Sequence, residues 1–223
     1  MHPELATGLT KKSEILWSAS EPVFRSILGH PFIEGLKNES LAENAFKFYI
    51  LQDSIYLKHF GKILQKISLD SSDPVMSEVF RRHYETSLIV EKGLHEGYLK
   101  SWNLSRDFLK QSPDNLSYIS FLEHTSNYGT LAQRITSVLP CYWIYLEVGK
   151  HLASVVKPEN RFYPWIKTYG SNQNYENSVR EVINIFDAMN IENREMTECI
   201  NIFRTASLYE YLFWDSAYRN PIL

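Results

Sequence analysis

The chain has 223 residues, with 44% apolar and 22% charged side chains, a size and balance at which one folded unit buries roughly 70% of its unfolded surface. That excludes a disordered chain and a bundle of membrane spans, each of which needs ~20 consecutive apolar residues. With 23 basic against 26 acidic residues, a net charge of −3 and no basic run longer than Lys11-Lys12 or Arg81-Arg82, nucleic acid and a charged membrane surface are both disfavoured as partners.

Proline and capping signals cut the chain into helix-length segments, and no window alternates apolar and polar residues with period 2. A helix is predicted over 12–28. The next spans 40–68, opening with Ser40 three residues before Glu43, the spacing of a capping box. A long helix over 74–100 follows Asp73 as N-cap and Pro74 at the first helical position. Further helices are predicted at 113–127, 130–155, 164–168, 172–188 and 192–218. Short connectors, no linker and no internal repeat make the prediction a compact all-α helical bundle, one domain over residues 1–223.

The nine glycines form no G-x-G-x-x-G, P-loop or G-x-S-x-G motif, so dinucleotide, nucleotide-phosphate and α/β-hydrolase chemistry lose their main sequence support. Only two cysteines occur, Cys141 and Cys199, and MHPELATGLTKKSEIL at the N-terminus has no apolar signal core. The chain therefore reads as a reduced, cytoplasmic protein, with a Cys141–Cys199 bridge left open.

Polar residues interrupt three apolar stripes. In 40–68 the positions Phe46, Ile50, Asp53, Leu57, Phe60, Leu64 and Ile67 step by four and three, a core-facing seam with a carboxylate inside it. The last helix repeats the pattern with Cys199, Phe203, Ala206, Glu210, Phe213 and Ala217, placing Glu210 in the middle. A buried carboxylate costs several kcal/mol unless it is paired or hydrogen-bonded. Each is therefore either a structural group bound to a buried hydroxyl or part of a site. The third stripe, Val138, Cys141, Tyr145, Val148, Leu152, carries a thiol one turn before a phenol, just after Pro140. Such a cysteine is either an inert small hydrophobe or, beside converging carboxylates, a nucleophile.

Fourteen tyrosines, Tyr49, Tyr56, Tyr118, Tyr142, Tyr145, Tyr163 and Tyr169 among them, supply rings for a core or for a pocket that sandwiches a flat heteroaromatic ligand. Glu-x-x-His and H-E-x-x-H, the helical metal signatures, are missing. The pairs Glu91/His95 and Glu147/His151 read as solvated helix faces, so no metal and no cofactor is expected.

FKFYILQDSIYL at 46–57, LPCYWIYLEVGKHL at 139–152, WIKTYGS at 165–171 and LYEYLFWDSAY at 208–218 together resemble the TenA family, the class II thiaminases or aminopyrimidine aminohydrolases of haem-oxygenase-like fold. The resemblance covers nearly the whole chain and falls in the cysteine-bearing branch. It implies Cys141 as nucleophile, with Asp53 and Glu210 as catalytic partners. Pyrimidine-binding roles are implied for Tyr56, Tyr118, Tyr145, Tyr169 and Phe213. Ser54 is read as a departure, standing where an aromatic is expected and leaving room for a wider pocket. The implied reaction is cofactor-free hydrolysis of 4-amino-5-aminomethyl-2-methylpyrimidine, and of thiamin, to the hydroxymethylpyrimidine used in thiamin salvage. A homotetramer is implied as the assembly. The alternative reading is a non-catalytic pyrimidine-binding or regulatory protein on the same fold.

Overall fold

The computed structural model describes residues 10–90, 93, 96–102 and 110–219. Its elements are α1 (Lys12–Leu28), α2 (Pro31–Asn38), α3 (Glu43–Asp70), α4 (Pro74–Val90), α5 (Glu96–Trp102), α6 (Pro113–Tyr128), α7 (Leu131–Ala153), α8 (Tyr163–Gly170), α9 (Gln173–Ala188) and α10 (Asn193–Arg219). No strand occurs among the described residues, as the all-α prediction requires. None of these helices is long and apolar enough to cross a membrane.

Local chemistry accounts for most of the boundaries. Ser112 caps α6 by accepting from the Asn115 amide, and Thr130 with Gln133 closes a capping box on α7. Asn172 accepts from two amides at the head of α9. Asp73 accepts from the Val75 amide at 2.9 Å before Pro74, as its sequence position implied. Ser68 and Ser77 exchange hydroxyl-to-carbonyl bonds of 2.7 and 2.8 Å across the α3–α4 turn, fixing those helices side by side.

Three predicted boundaries are corrected. Ser40 does not cap α3: its hydroxyl bonds to Asn38 Oδ1, and Ala42 stands at the N-cap with no side-chain bond. The predicted 74–100 helix maps onto two elements, α4 and α5. The residues between them, apart from Gly93, lie outside the described residues, and so does the Glu91/His95 pair. No helix is predicted over 29–39, whereas α2 forms there. His30 is its N-cap, with Nδ1 accepting from the Phe32 amide at 3.0 Å, and Pro31 occupies the first turn.

The heptad seams face inward as predicted. Phe46, Ile50, Phe60, Leu64 and Ile67 of α3 and Phe203, Ala206, Phe213 and Ala217 of α10 join one hydrophobic cluster with α7. α7 is the central element, packing against α6, α8, α9 and α10, while α3 packs against α4, α6, α7 and α10. Asp53, Cys141 and Glu210 therefore sit on three helices that meet one another.

Candidate active site

Burial alone makes the three polar interruptions conspicuous. Asp53 is 6% exposed, Glu210 is 2% exposed and Cys141 is half-buried. α3 delivers Asp53 and Tyr56 one turn apart on its inner face. Gln52 anchors that turn to the head of α6: its side chain donates to the Lys110 carbonyl and accepts from the Ser112 amide and from Asn115 Nδ2. Asn115 Nδ2 also bonds to the Gln52 carbonyl at 2.9 Å. The same suture positions Tyr118, one turn further along α6.

Tyr118 Oη donates to Glu210 Oε1 at 2.7 Å, and both side chains are buried. Burial, the dominant influence, pushes the Glu210 carboxyl up to about 8, with a further rise from Asp53 and an opposing effect of the Tyr118 bond. Glu210 is thus a carboxylic acid that holds its proton at neutral pH. The Cys141 thiol is also raised well above its usual range, by burial first and then by the neighbouring Glu210 and Asp53 carboxyl groups. Cys141 and Cys199 are both free thiols, which settles the open pairing against a bridge.

Aromatic rings enclose these groups. Tyr56 lies 5.0 Å from Tyr118 and 5.8 Å from Phe213, centroid to centroid. Its buried hydroxyl makes no hydrogen bond of normal geometry. Tyr145 lies 5.0 Å from Tyr169 and receives a 3.2 Å bond from the Tyr49 hydroxyl, which in turn accepts from Trp165 Nε1 at 3.3 Å. Tyr169 reaches this position because α8 crosses α7 at backbone distance. A Cβ on Gly149 would stand 2.6 Å from Gly170 N, and a Cβ on Gly170 would stand 2.1 Å from the Gly149 carbonyl oxygen.

A cavity of about 520 Å³ opens here, with Asp53, Cys141, Tyr145 and Tyr169 on its wall. Tyr56, Tyr118, Glu210 and Phe213 do not line it; they are joined to one another by the Tyr118–Glu210 bond and the Tyr56 ring contacts, and Tyr56 stacks at 5.6 Å on Phe60, which is on the wall. Four of the eight residues singled out in the sequence are thus on the cavity wall and four in the layer behind it. Ser54 is not on this wall: it is buried, and its hydroxyl bonds back to the Leu51 carbonyl at 2.7 Å. A helix turns about 100° between neighbours, so a position next to an inward Asp53 faces elsewhere.

Sequence reasoning missed the outer wall, where His83, Glu181 and Tyr175 line the same cavity. Tyr175 begins the seam Tyr175, Val179, Val182, Phe186, spaced four, three and four, which marks it as inward-facing. His83 likewise continues the seam Met76, Phe80, His83, spaced four and three, whereas nothing in the spacing of Glu181 marks it. Among the described residues, no group of three or more His, Cys, Asp or Glu side chains gathers as a metal site.

The TENA/THI-4/PQQC family model matches residues 17–220. An aminopyrimidine aminohydrolase of Bacillus subtilis is 33% identical over 94% of this chain and 90% of its own length. The aminopyrimidine aminohydrolase of Helicobacter pylori is 28% identical over 93% of this chain and 99% of its own length. Among solved structures, a TenA homologue from P. horikoshii superposes with a TM-score of 0.86 at 27% identity, covering 94% of this chain and 99% of that one. A domain with a heme oxygenase-like fold from Shewanella denitrificans superposes with a TM-score of 0.72 at 15% identity, a likeness of fold alone.

Proposed function

The chain belongs to the TENA/THI-4/PQQC family, and from that membership and the site geometry we propose that it is an aminopyrimidine aminohydrolase. It replaces the amine of 4-amino-5-aminomethyl-2-methylpyrimidine by water, giving the hydroxymethylpyrimidine and ammonia; with thiamin, the thiazole leaves instead. The observation that carries this reading is a buried Glu210, bonded by Tyr118 at 2.7 Å, on a helix that packs against those bearing Asp53 and Cys141.

The residues divide the work as follows. An aminopyrimidine ring is planar and electron-poor, and the Tyr145 and Tyr169 rings on the cavity wall offer it an aromatic face, with Tyr56 and Phe213 in the layer behind. Asp53 holds the 4-amino group and the adjacent ring nitrogen. Cys141 passes its proton to a carboxylate or water, and its sulfur forms a bond to a ring carbon. Glu210 gives its proton to a ring nitrogen as that bond forms. The added electron density expels the substituent from the exocyclic methylene, the protonated amine leaving as neutral ammonia or the thiazolium as neutral thiazole. Water then adds its hydroxyl to that carbon and gives its other proton to ammonia or to solvent. The S–C bond breaks as the ring regains aromaticity, the ring nitrogen returns its proton to Glu210, and the Cys141 sulfur takes back the proton it gave up.

Tyr118 donates to Oε1 of Glu210, so the transferable proton belongs on Oε2. Burial keeps that proton in place at neutral pH, which a general acid requires. Steady-state hydrolysis of the aminomethyl compound by the wild type and by Glu210→Gln tests the assignment. Turnover should fall by about 10²–10⁴ in the variant; an unchanged rate would remove the general acid from the mechanism.

A further inference from the structure

We propose that Tyr175, in the first turn of α9, is a positioning residue for Cys141, its hydroxyl holding the turn of α7 that presents the thiol to the cavity. This rests on the role given to Cys141 above. Tyr175 Oη donates to the Tyr142 carbonyl at 3.0 Å and shares its hydrogen with the Cys141 carbonyl at 3.3 Å. Its ring meets Tyr169 edge-on at 5.2 Å. One side chain therefore touches both the cysteine-bearing turn and the aromatic wall of the cavity.

That turn needs an external tether. Pro140 lies inside α7, immediately before Cys141. It has no amide hydrogen, so the Thr136 carbonyl lacks its ladder partner and the turn of α7 leading into Cys141 is short of one hydrogen bond. His83 of α4 holds the same dipeptide from a second side. Its Nε2 pairs with Glu181 Oε2 at 2.9 Å, an acceptor, which leaves Nδ1 to accept from the Tyr142 hydroxyl at 3.2 Å. Beside Tyr175, Lys150 of α7 bonds to Glu176 at 2.9 Å, a second link between α9 and α7. Any shift of the Cys141 turn changes the distance between the sulfur and the Glu210 and Asp53 carboxyls that act on it.

Tyr175→Phe keeps the ring and removes only the tether. Two measurements are made on the full chain: steady-state hydrolysis of the aminomethylpyrimidine, and the pH dependence of Cys141 alkylation by iodoacetamide. The alkylation is read peptide by peptide so that Cys199 is scored separately. The expected result is a fall in kcat of about tenfold with KM within about twofold, as for a nucleophile displaced by a fraction of an ångström. The Cys141 alkylation midpoint moves away from its wild-type pH as the sulfur shifts relative to Glu210 and Asp53. An unmoved midpoint overturns the proposal, whether or not kcat falls. If the wild type fails to turn over the pyrimidine, the hydrolase reading is lost, and the alkylation profile still decides the role of Tyr175.

Discussion

Tyr118 of α6 and Glu210 of α10 share a 2.7 Å hydrogen bond, phenol to carboxyl, at a point where both are cut off from solvent. The bond opposes the burial and the Asp53 charge that push the Glu210 carboxyl up to about 8. Removing it in Tyr118→Phe leaves burial less opposed. The alkaline limb of the pH–rate profile, where the general acid is lost, is expected to move to higher pH. The plateau rate falls severalfold because the Glu210 proton is no longer oriented. A pH–rate series on the two proteins checks both effects.

Glu210 should also cost stability at alkaline pH. The folded carboxyl keeps its proton up to about 8, whereas its ordinary value is 4.5. The folded state therefore binds the extra proton between those values, and stability falls as the pH rises through that window. Glu210→Gln removes the fall. Denaturant titrations at pH 9 are expected to show the variant more stable than wild type by on the order of 2 kcal/mol. Its hydrolysis should meanwhile be slower by about 10²–10⁴.

The α7–α8 crossing has no room for a methyl group. With Gly170 N and Tyr169 C each 2.6 Å from a Cβ on Gly149, the clash is with backbone, and α8 must move away. Gly149→Ala should destabilise the fold by about 3 kcal/mol, the upper range of overpacking effects. It should also pull Tyr169 off Tyr145, so residual folded protein binds pyrimidine weakly. Thermal melts and ligand titration read the two consequences.

His30 gives the fold an acid limit. Its Nδ1 accepts the Phe32 amide and its Nε2 faces Asp215 Oδ1 at 3.3 Å, so the cap needs the neutral ring. Burial outweighs Asp215 and lowers its pKa from 6.5. The unfolded chain then binds the proton first, so this contribution is present above about pH 6.5 and is lost as the pH falls below it. In His30→Asn the cap is kept without a titrating ring. Its melting temperature should decline less than that of the wild type between pH 7 and 5.

Much of the site was legible because helical spacing converts position into direction. Asp53 and Glu210 fell on apolar seams, and a seam position must face the interior whatever its chemistry. The same rule located Cys141 and Tyr145. It failed at Ser40, where Asn38 competes for the hydroxyl, and at α2, whose cap is a histidine, a residue without capping preference. Pairing across helices has no periodic signal at all. The Gln52–Asn115 suture and the His83–Tyr142 contact join residues 63 and 59 positions apart, so only the packed structure reveals them. The Gly149–Gly170 approach is hidden for the same reason, since a glycine in sequence does not name what it touches.

The central claim is that Cys141 is the nucleophile of a pyrimidine hydrolase, and it is tested by measuring hydrolysis of 4-amino-5-aminomethyl-2-methylpyrimidine and of thiamin by wild type and Cys141→Ser, with products identified by mass. The account predicts hydroxymethylpyrimidine from the wild type and none from the variant, which still binds the pyrimidine. Turnover by Cys141→Ser at the wild-type rate would contradict it.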